Sequence, residues 1–474
     1  MKRNKERVPV RDDSPAPDLE SDWKAWLLAE LARPVDGASA AFWRIAFGLV
    51  MAIDLLYYAT GGRLERIYLE PVVHFKYPFF SWVNAASPGA MHAIVWMGVA
   101  AAVAVAAGFL YRVASVVLFG VLVYLYLLEV TAYNNHNYLF CLFAFFCIFL
   151  PLDKVAALDA RRSSERFIPS WVVWLLRFQV GVPYFFGGIA KLNYDWLARA
   201  QPMMQWLRTD NLGGTLKMGF FQETWFAYAI SWSGLAFDLL IVPALVWRKS
   251  RPWAFVLLVM FNVANSQLFY IGMFPWAMIL LSTIFFEPGW PRRLGIIPAG
   301  PPPGHAGAKP KPAVAPASLP LNLLTRVALG GWVAWQLVMP LRHFLYPGNV
   351  DWTEEGFRYS WRMKIRDKQG DVRFMLMQMQ TQQAVALQDA EALLTERQRR
   401  FLSQDPELIR QFAHFLAGGL YAKGYKDFEI RAFTNLSLNE RPAQPLIDPE
   451  VDLAAQPETV LPKSWIVPLK RLLP

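Results

Sequence analysis

Nine times along this chain an apolar run approaches or reaches the roughly 20 residues that a helix needs to cross a hydrocarbon layer about 30 Å thick. The runs lie near 39–60, 91–110, 113–133, 137–152, 171–190, 225–247, 253–271, 273–286 and 321–345. The eighth is short and nearly merges with the seventh. A chain that is 55% hydrophobic, with 20 tryptophans and 17 tyrosines, suits such a bundle with aromatic belts at both interfaces. The expected fold class is mainly α. It is a polytopic α-helical membrane protein of about nine spans, with a small β-rich α+β extramembrane domain at its C-terminal end.

A net charge of +10 invites a nucleic-acid reading. The charges, however, sit in short clusters between apolar runs rather than along one amphipathic face. The opening tract MKRNKERVPVR is basic. Arg112, then Lys154, Arg161, Arg162 and Arg166, then Arg248, Lys249 and Arg251, then Arg292 and Arg293 follow in alternate loops. Placing all of them on the cytoplasmic side of a cell inner membrane satisfies the positive-inside rule. Residues 1–38 are then a cytoplasmic tail without the apolar stretch of a signal peptide. Residues 39–297 form the transmembrane core, and 298–320 a Pro-rich cytoplasmic linker. Residues 321–346 are the last span, and 347–474 lie on the opposite face. Cys141 and Cys147 are six residues apart, about 9 Å along a helix, too far for a bridge.

Within the outer region, RYSWRMKIRDKQGDVRFMLM alternates through a turn-forming DKQGD and predicts a β-hairpin. A helical pattern covers roughly 384–422, and DFEIRAFTNLSL predicts another strand.

Polar groups inside apolar segments are costly and mark functional candidates. In this topology Lys191, His136, Asn265 with Gln267, and Arg342 with His343 fall at the outer ends of four separated spans. Four segments bringing polar groups to one depth on one face suggest a site. Lys191, Tyr184 and Arg177 recur every seven residues, on one helical stripe, with Gly187 and Gly188 beside it and Pro183 one turn earlier. Each residue also has a plainer reading. The Lys191 ammonium snorkels to the headgroups, or desolvation leaves a neutral amine that acts as a base. Tyr184 packs among aromatics; Asn134, Asn135 and His136 cap a hairpin; Asn262 joins two helices by a hydrogen bond; His343 sits at the interface. Arg44, Asp54, Glu129 and Asp238 need partners that sequence does not identify. The chain has no P-loop, no nucleophile elbow and no HExxH, and its histidines are too scattered for a local metal site.

At these residues the chain resembles the vitamin K-dependent γ-carboxylase family, including bacterial members that share the horizontally transferred transmembrane domain. The strings that carry the resemblance are NNHNYL, YFFGGIAKLNYDW, NSQLFYIGMF, EPGWPRRL, WTEEGFRYSWRMKI and NERPAQPLIDPEVDL. They run in the family's order from about residue 39 to residue 468. The resemblance implies a membrane lyase that oxidises reduced vitamin K (phylloquinol or menaquinol) with O2 to its epoxide. The base so formed removes a γ-proton from a protein glutamate, and CO2 then converts it to γ-carboxyglutamate; no metal is implied. Lys191 corresponds to the lysine that deprotonates the hydroquinone, with His136 and Asn135 in the same active site. Tyr184, Asn265, Gln267, Met273 and Phe274 fall in the strings expected to hold quinone or substrate, and His343 corresponds to a histidine in the segment entering the outer domain. The implied partners are membrane lipid, a lipid-soluble quinone and a Glu-containing protein or peptide, not nucleic acid.

A lipid quinone presents its headgroup at interfacial depth, where a neutral amine can take a phenolic proton of pKa near 10. Two alternatives stay open. One is a quinol epoxidase without peptide carboxylation. The other is a non-enzymatic quinone-binding or transport protein, for which the chain shows no internal repeat.

Overall fold

The computed structural model describes residues 23–162, 166–208, 219–269, 271–298, 320–381, 383–387 and 390–470. Helix α1 (Trp23–Ala32) and strand β1 (Pro34–Asp36) lead into α2 (Ala38–Thr60), α3 (Pro88–Ala107), α4 (Tyr111–Leu128) and α5 (Asn135–Phe149). Strand β2 (Phe167–Pro169) precedes α6 (Ser170–Lys191), which is followed by the short α7 (Tyr194–Arg199) and α8 (Met203–Arg208). Then come α9 (Thr224–Val246), α10 (Arg251–Leu268), α11 (Phe274–Ser282), α12 (Trp290–Arg293) and α13 (Leu323–Leu341).

Each predicted apolar run carries a helix, but nine full spans are not what length and composition support. Five helices, α2, α3, α4, α6 and α9, are long and apolar enough to cross a membrane. Helices α5 and α11 are apolar but only 15 and 9 residues long, against the roughly 20 that a span needs. Helix α10 has the length, but Asn262, Asn265, Ser266 and Gln267 crowd polar groups into its second half. Residues 23–36 are not a loose tail: β1 pairs antiparallel with β2, Val35 opposite Ile168. Residues 1–22, and 299–319 of the Pro-rich stretch, lie outside the described residues.

The basic clusters meet at one end of the bundle. Asp36 pairs with Arg166 and Arg292, Arg112 with Asp153, and Glu287 with both Arg248 and Arg293. Buried Arg44 points here too, donating to the carbonyls of Leu152, Ala106 and Ala156. Within the bundle, Gln179 of α6 donates to Gln336 of α13 at 3.3 Å and accepts from Trp332 at 3.0 Å. This clasp joins two helices where burial leaves polar groups few alternatives.

At the other end sits the outer domain: α14 (Val350–Thr353), β3 (Lys368–Gln378), β4 (Gln383–Ala386), α15 (Glu396–Leu402), α16 (Pro406–Ala422) and β5 (Phe428–Leu438). Its sheet has the order β4-β3-β5, antiparallel throughout. Side chains on β5 alternate inward from Phe428 to Leu438, and Phe412 of α16 packs edge-on against Phe374 of β3. Two sequence expectations are corrected. DKQGD is not a hairpin turn, because β3 runs straight through it with Asp371 opposite Asn435. The long partner strand overrides the local turn composition, and at Gly370 a Cβ would lie 2.3 Å from the Asn435 carbonyl oxygen. The hairpin instead turns between β3 and β4. The helical pattern over 384–422 also divides: β4 occupies its start, and Pro406 opens a second helix behind its Asp405 cap.

Two clasps seat this domain on the bundle. The loop after α2 supplies Val73, Phe75 and Tyr77 to the domain's own core. Gln411 also hydrogen-bonds both backbone groups of Lys76, and Glu129 accepts from the Phe75 amide and from Gln398. The second clasp is Asp195, four residues past Lys191. Arg441 grips its carboxylate with two bonds of 2.6 Å, and Asn439 adds one of 2.8 Å. Burial alone would raise the Asp195 carboxyl, but these bonds outweigh it and hold it below the usual carboxylate range.

A depressed carboxyl stabilises the fold fully above its unfolded pKa, near 3.9, and loses that contribution as pH falls through the folded value. We therefore expect Asp195→Asn to be less thermally stable than the parent at pH 7, with the gap closing below about pH 4. Equal unfolding temperatures at pH 7 would show that the clasp adds nothing to stability.

Candidate active site

Helix α6 runs unbroken through Pro183 to Lys191. At Gly188 it meets α9 so closely that a Cβ would stand 2.6 Å from Leu239 Cδ2 and 3.2 Å from the Leu239 amide nitrogen. The glycine pair thus admits a neighbouring helix, and that approach brings Asp238 to Lys191. Lys191 Nζ donates to Asp238 Oδ2 at 2.6 Å and to the Gly187 carbonyl at 3.3 Å. It also lies 5.2 Å from the Trp196 ring centre. Both side chains of the pair are nearly buried, 10% and 7% exposed. Lys191 is therefore neither a snorkelling anchor nor a lone amine. Asp238, a solitary charge in the sequence of an apolar run, is its partner.

The pair lines a cavity of about 900 Å³. Asn135 and His136 enter from the first turn of α5, Tyr184 from α6, Asn262 and Asn265 from α10, and Phe274 from α11. Tyr133 donates to Asn135 Oδ1 at 2.8 Å while accepting from the Tyr359 amide at 2.8 Å. This chain orients the Asn135 amide and leaves its NH2 with donors to spare. The His136 ring packs 5.6 Å from Phe274. Asn262 donates to the Tyr184 hydroxyl at 3.3 Å and to the Leu258 carbonyl at 2.9 Å, so it does join α10 to α6. Away from these groups the wall is apolar. Leu240, Leu257 and Met260 line it and are at least half exposed, which is accessible apolar surface among membrane-length helices.

Not every candidate arrives. Gln267 points elsewhere, bonding its neighbour Ser266 at an exposed position. Successive helical residues turn by about 100°, so Asn265 and Gln267 cannot share a face. Met273 packs against the core while Phe274 reaches the cavity. His343 turns its Nδ1 to the Pro340 carbonyl at 2.9 Å and stays outside the cavity wall. Arg177, two stripe positions below Lys191 and about 21 Å away along the helix, binds the carbonyls of Ile284 and Phe286.

Sequence reasoning missed the roof. Residues Glu354 to Arg366 and Phe401 to Leu408 of the outer domain complete the cavity and bring six charged side chains to it: Glu354, Arg358, Arg362, Lys364, Arg366 and Asp405. Only the matched string WTEEGFRYSWRMKI hinted at this.

Residues 32–290 match the HTTM domain, and residues 321–472 match the vitamin K-dependent gamma-carboxylase lumenal domain. No solved structure matches the chain.

Proposed function

The chain belongs to the vitamin K-dependent gamma-carboxylase family, and we propose that it is a vitamin K-dependent γ-glutamyl carboxylase whose base is the Lys191–Asp238 pair. The observation that carries this reading is that pair, set in the wall of a largely apolar cavity that Asn135 and His136 also line. A naphthoquinone head with an isoprenoid tail suits a cavity that is apolar along most of its wall and carries a limited set of hydrogen-bonding groups. When bound, the hydroquinone supplies, with O2, the oxidation and strong basicity that protein side chains lack, and CO2 supplies the new carboxyl group.

The protein's own contribution follows from its geometry. Lys191 and Asp238 together carry no net charge and take up the hydroquinone hydroxyl proton as a coupled unit. The spare Asn135 NH2, with His136 as the adjoining residue of the wall, would donate to a hydroquinone oxygen. Tyr184, fixed by Asn262, and Phe274 would supply aromatic wall for the quinone. Apolar walls keep bulk water from a strongly basic step. The basic end of the bundle faces the cytoplasm, by the positive-inside rule, and the outer domain presents the peptide from the opposite side of the inner membrane.

The test is purified protein with reduced vitamin K, oxygen, labelled bicarbonate and a glutamate peptide. Epoxide together with labelled peptide is the expected result. No epoxide above background sinks the enzymatic reading, and epoxide without label reduces it to quinol epoxidation.

A further inference from the structure

The charged side chains in the cavity wall fall into pairs. Lys191 faces Asp238, Arg358 faces Asp405 at 2.5 Å, and Arg366 faces Glu354. Arg362 holds Asp351 with bonds of 2.9 and 2.7 Å. Among the described residues, Lys364 is the charged group of this wall with no carboxylate at ion-pair distance. Its ammonium instead lies 4.5 Å from the Phe269 ring centre and 5.7 Å from that of Trp206. Aromatic faces attract a cation without neutralising it. Arg400 adds further positive potential, while Asp367, the nearby negative group, is engaged by Trp206 Nε1 at 2.7 Å.

Position ties this cation to the site. Lys364 is exposed, so a ligand can reach it. Its neighbour Met363 packs so near Gly187 that its Cε would sit 3.6 Å from a Cβ there, and the Gly187 carbonyl is the one Lys191 holds. Tyr359, Trp361 and Lys364 all have left-handed backbones, with φ of 66°, 57° and 53°. Residues bearing side chains keep that conformation only where their surroundings hold them in it, a pattern concentrated at functional sites.

We propose that Lys364 is a carboxylate anchor that docks the glutamate side chain of an acidic peptide beside the Lys191–Asp238 pair, an assignment that rests on the carboxylase reading above. An acidic peptide is favoured over a lipid phosphate because Lys364 itself belongs to the outer domain rather than to a membrane-length helix.

Fluorescence polarisation of a labelled glutamate peptide with the full-length protein in detergent reads the anchor without turnover. Lys364→Met is expected to weaken binding by about tenfold or more, the scale of a lost charge-assisted hydrogen bond. Lys364→Arg retains binding to within about threefold. A peptide with glutamine in place of glutamate binds the parent protein as weakly as Lys364→Met binds the glutamate peptide. Should Lys364→Met fail to fold by thermal unfolding, Lys364→Gln takes its place with the same expectation.

Equal binding by parent and variant, or no binding by the parent, overturns the proposal. So does a result in which the variant loses affinity for phosphatidylglycerol vesicles while keeping the peptide. The carboxylase reading fails separately. A parent protein that binds peptide through Lys364 yet forms no epoxide keeps the anchor and loses the reaction.

Discussion

If the chain is the proposed carboxylase, Lys191→Arg is expected to leave a folded protein that forms epoxide about a thousandfold more slowly, within the range expected when a general base is lost. Arginine keeps the positive charge and still reaches Asp238, now at 2.6 Å from Lys191 Nζ. It does not release its proton at any working pH, so it preserves the pairing and removes the basicity. Lys191→Ala is expected to lose epoxide formation equally while still inserting and folding, but it leaves the Asp238 carboxylate without its partner. The two variants together separate charge balance from proton uptake. Epoxide formation within a few-fold of the parent in Lys191→Ala places the base elsewhere. Loss in the alanine variant with retention in the arginine variant means the lysine supplies only positive charge.

Asp238→Ala carries the largest expected cost in stability. It strands a cation in a wall where the lysine side chain is only 10% exposed, and removing one partner of a buried pair typically costs about 3–5 kcal/mol. Asp238→Asn keeps the shape and one hydrogen bond, so it falls between. The double variant Lys191→Ala, Asp238→Ala removes both charges, and we expect it to be more stable than Asp238→Ala alone. Thermal unfolding of the four proteins in one detergent supplies the double-mutant cycle. A coupling of about 1 kcal/mol or more identifies a pair that interacts energetically in the folded protein. Additive losses mean that the 2.6 Å contact contributes nothing beyond its two members.

Much of this architecture was legible because hydrophobic length is a local property. Each apolar run marks its own helix, and Lys191, His136, Tyr184 and Asn265 were visible as polar interruptions of such runs. Asp238 was equally visible as an interruption, but its partner is 47 residues away. The contact depends on Gly188 letting α9 settle against α6, and periodicity carries no record of which helices touch. An opposite-sign charge in another apolar run was the available signal, and several residues offered it. His343 differs for another reason: the sequence marks the end of its helix but not the direction of its side chain, which a local carbonyl captures. The roof of the cavity was hardest to foresee. It is irregular backbone, held by left-handed residues such as Trp361 and Lys364, and no simple period describes it.

The Asp195–Arg441 grip has a consequence for how the protein comes into being. Its two members are 246 residues apart in the chain. When α6 and the segment carrying Asp195 have been made and inserted, the arginine that fixes that segment has yet to be synthesised. The roof residues Glu354 to Arg366 are also still to come. A half-made protein therefore carries its lysine without the roof that later covers the cavity. Completion of the last stretch of chain both locks the end of α6 and adds the roof of the cavity, so the full cavity wall forms only late in biosynthesis.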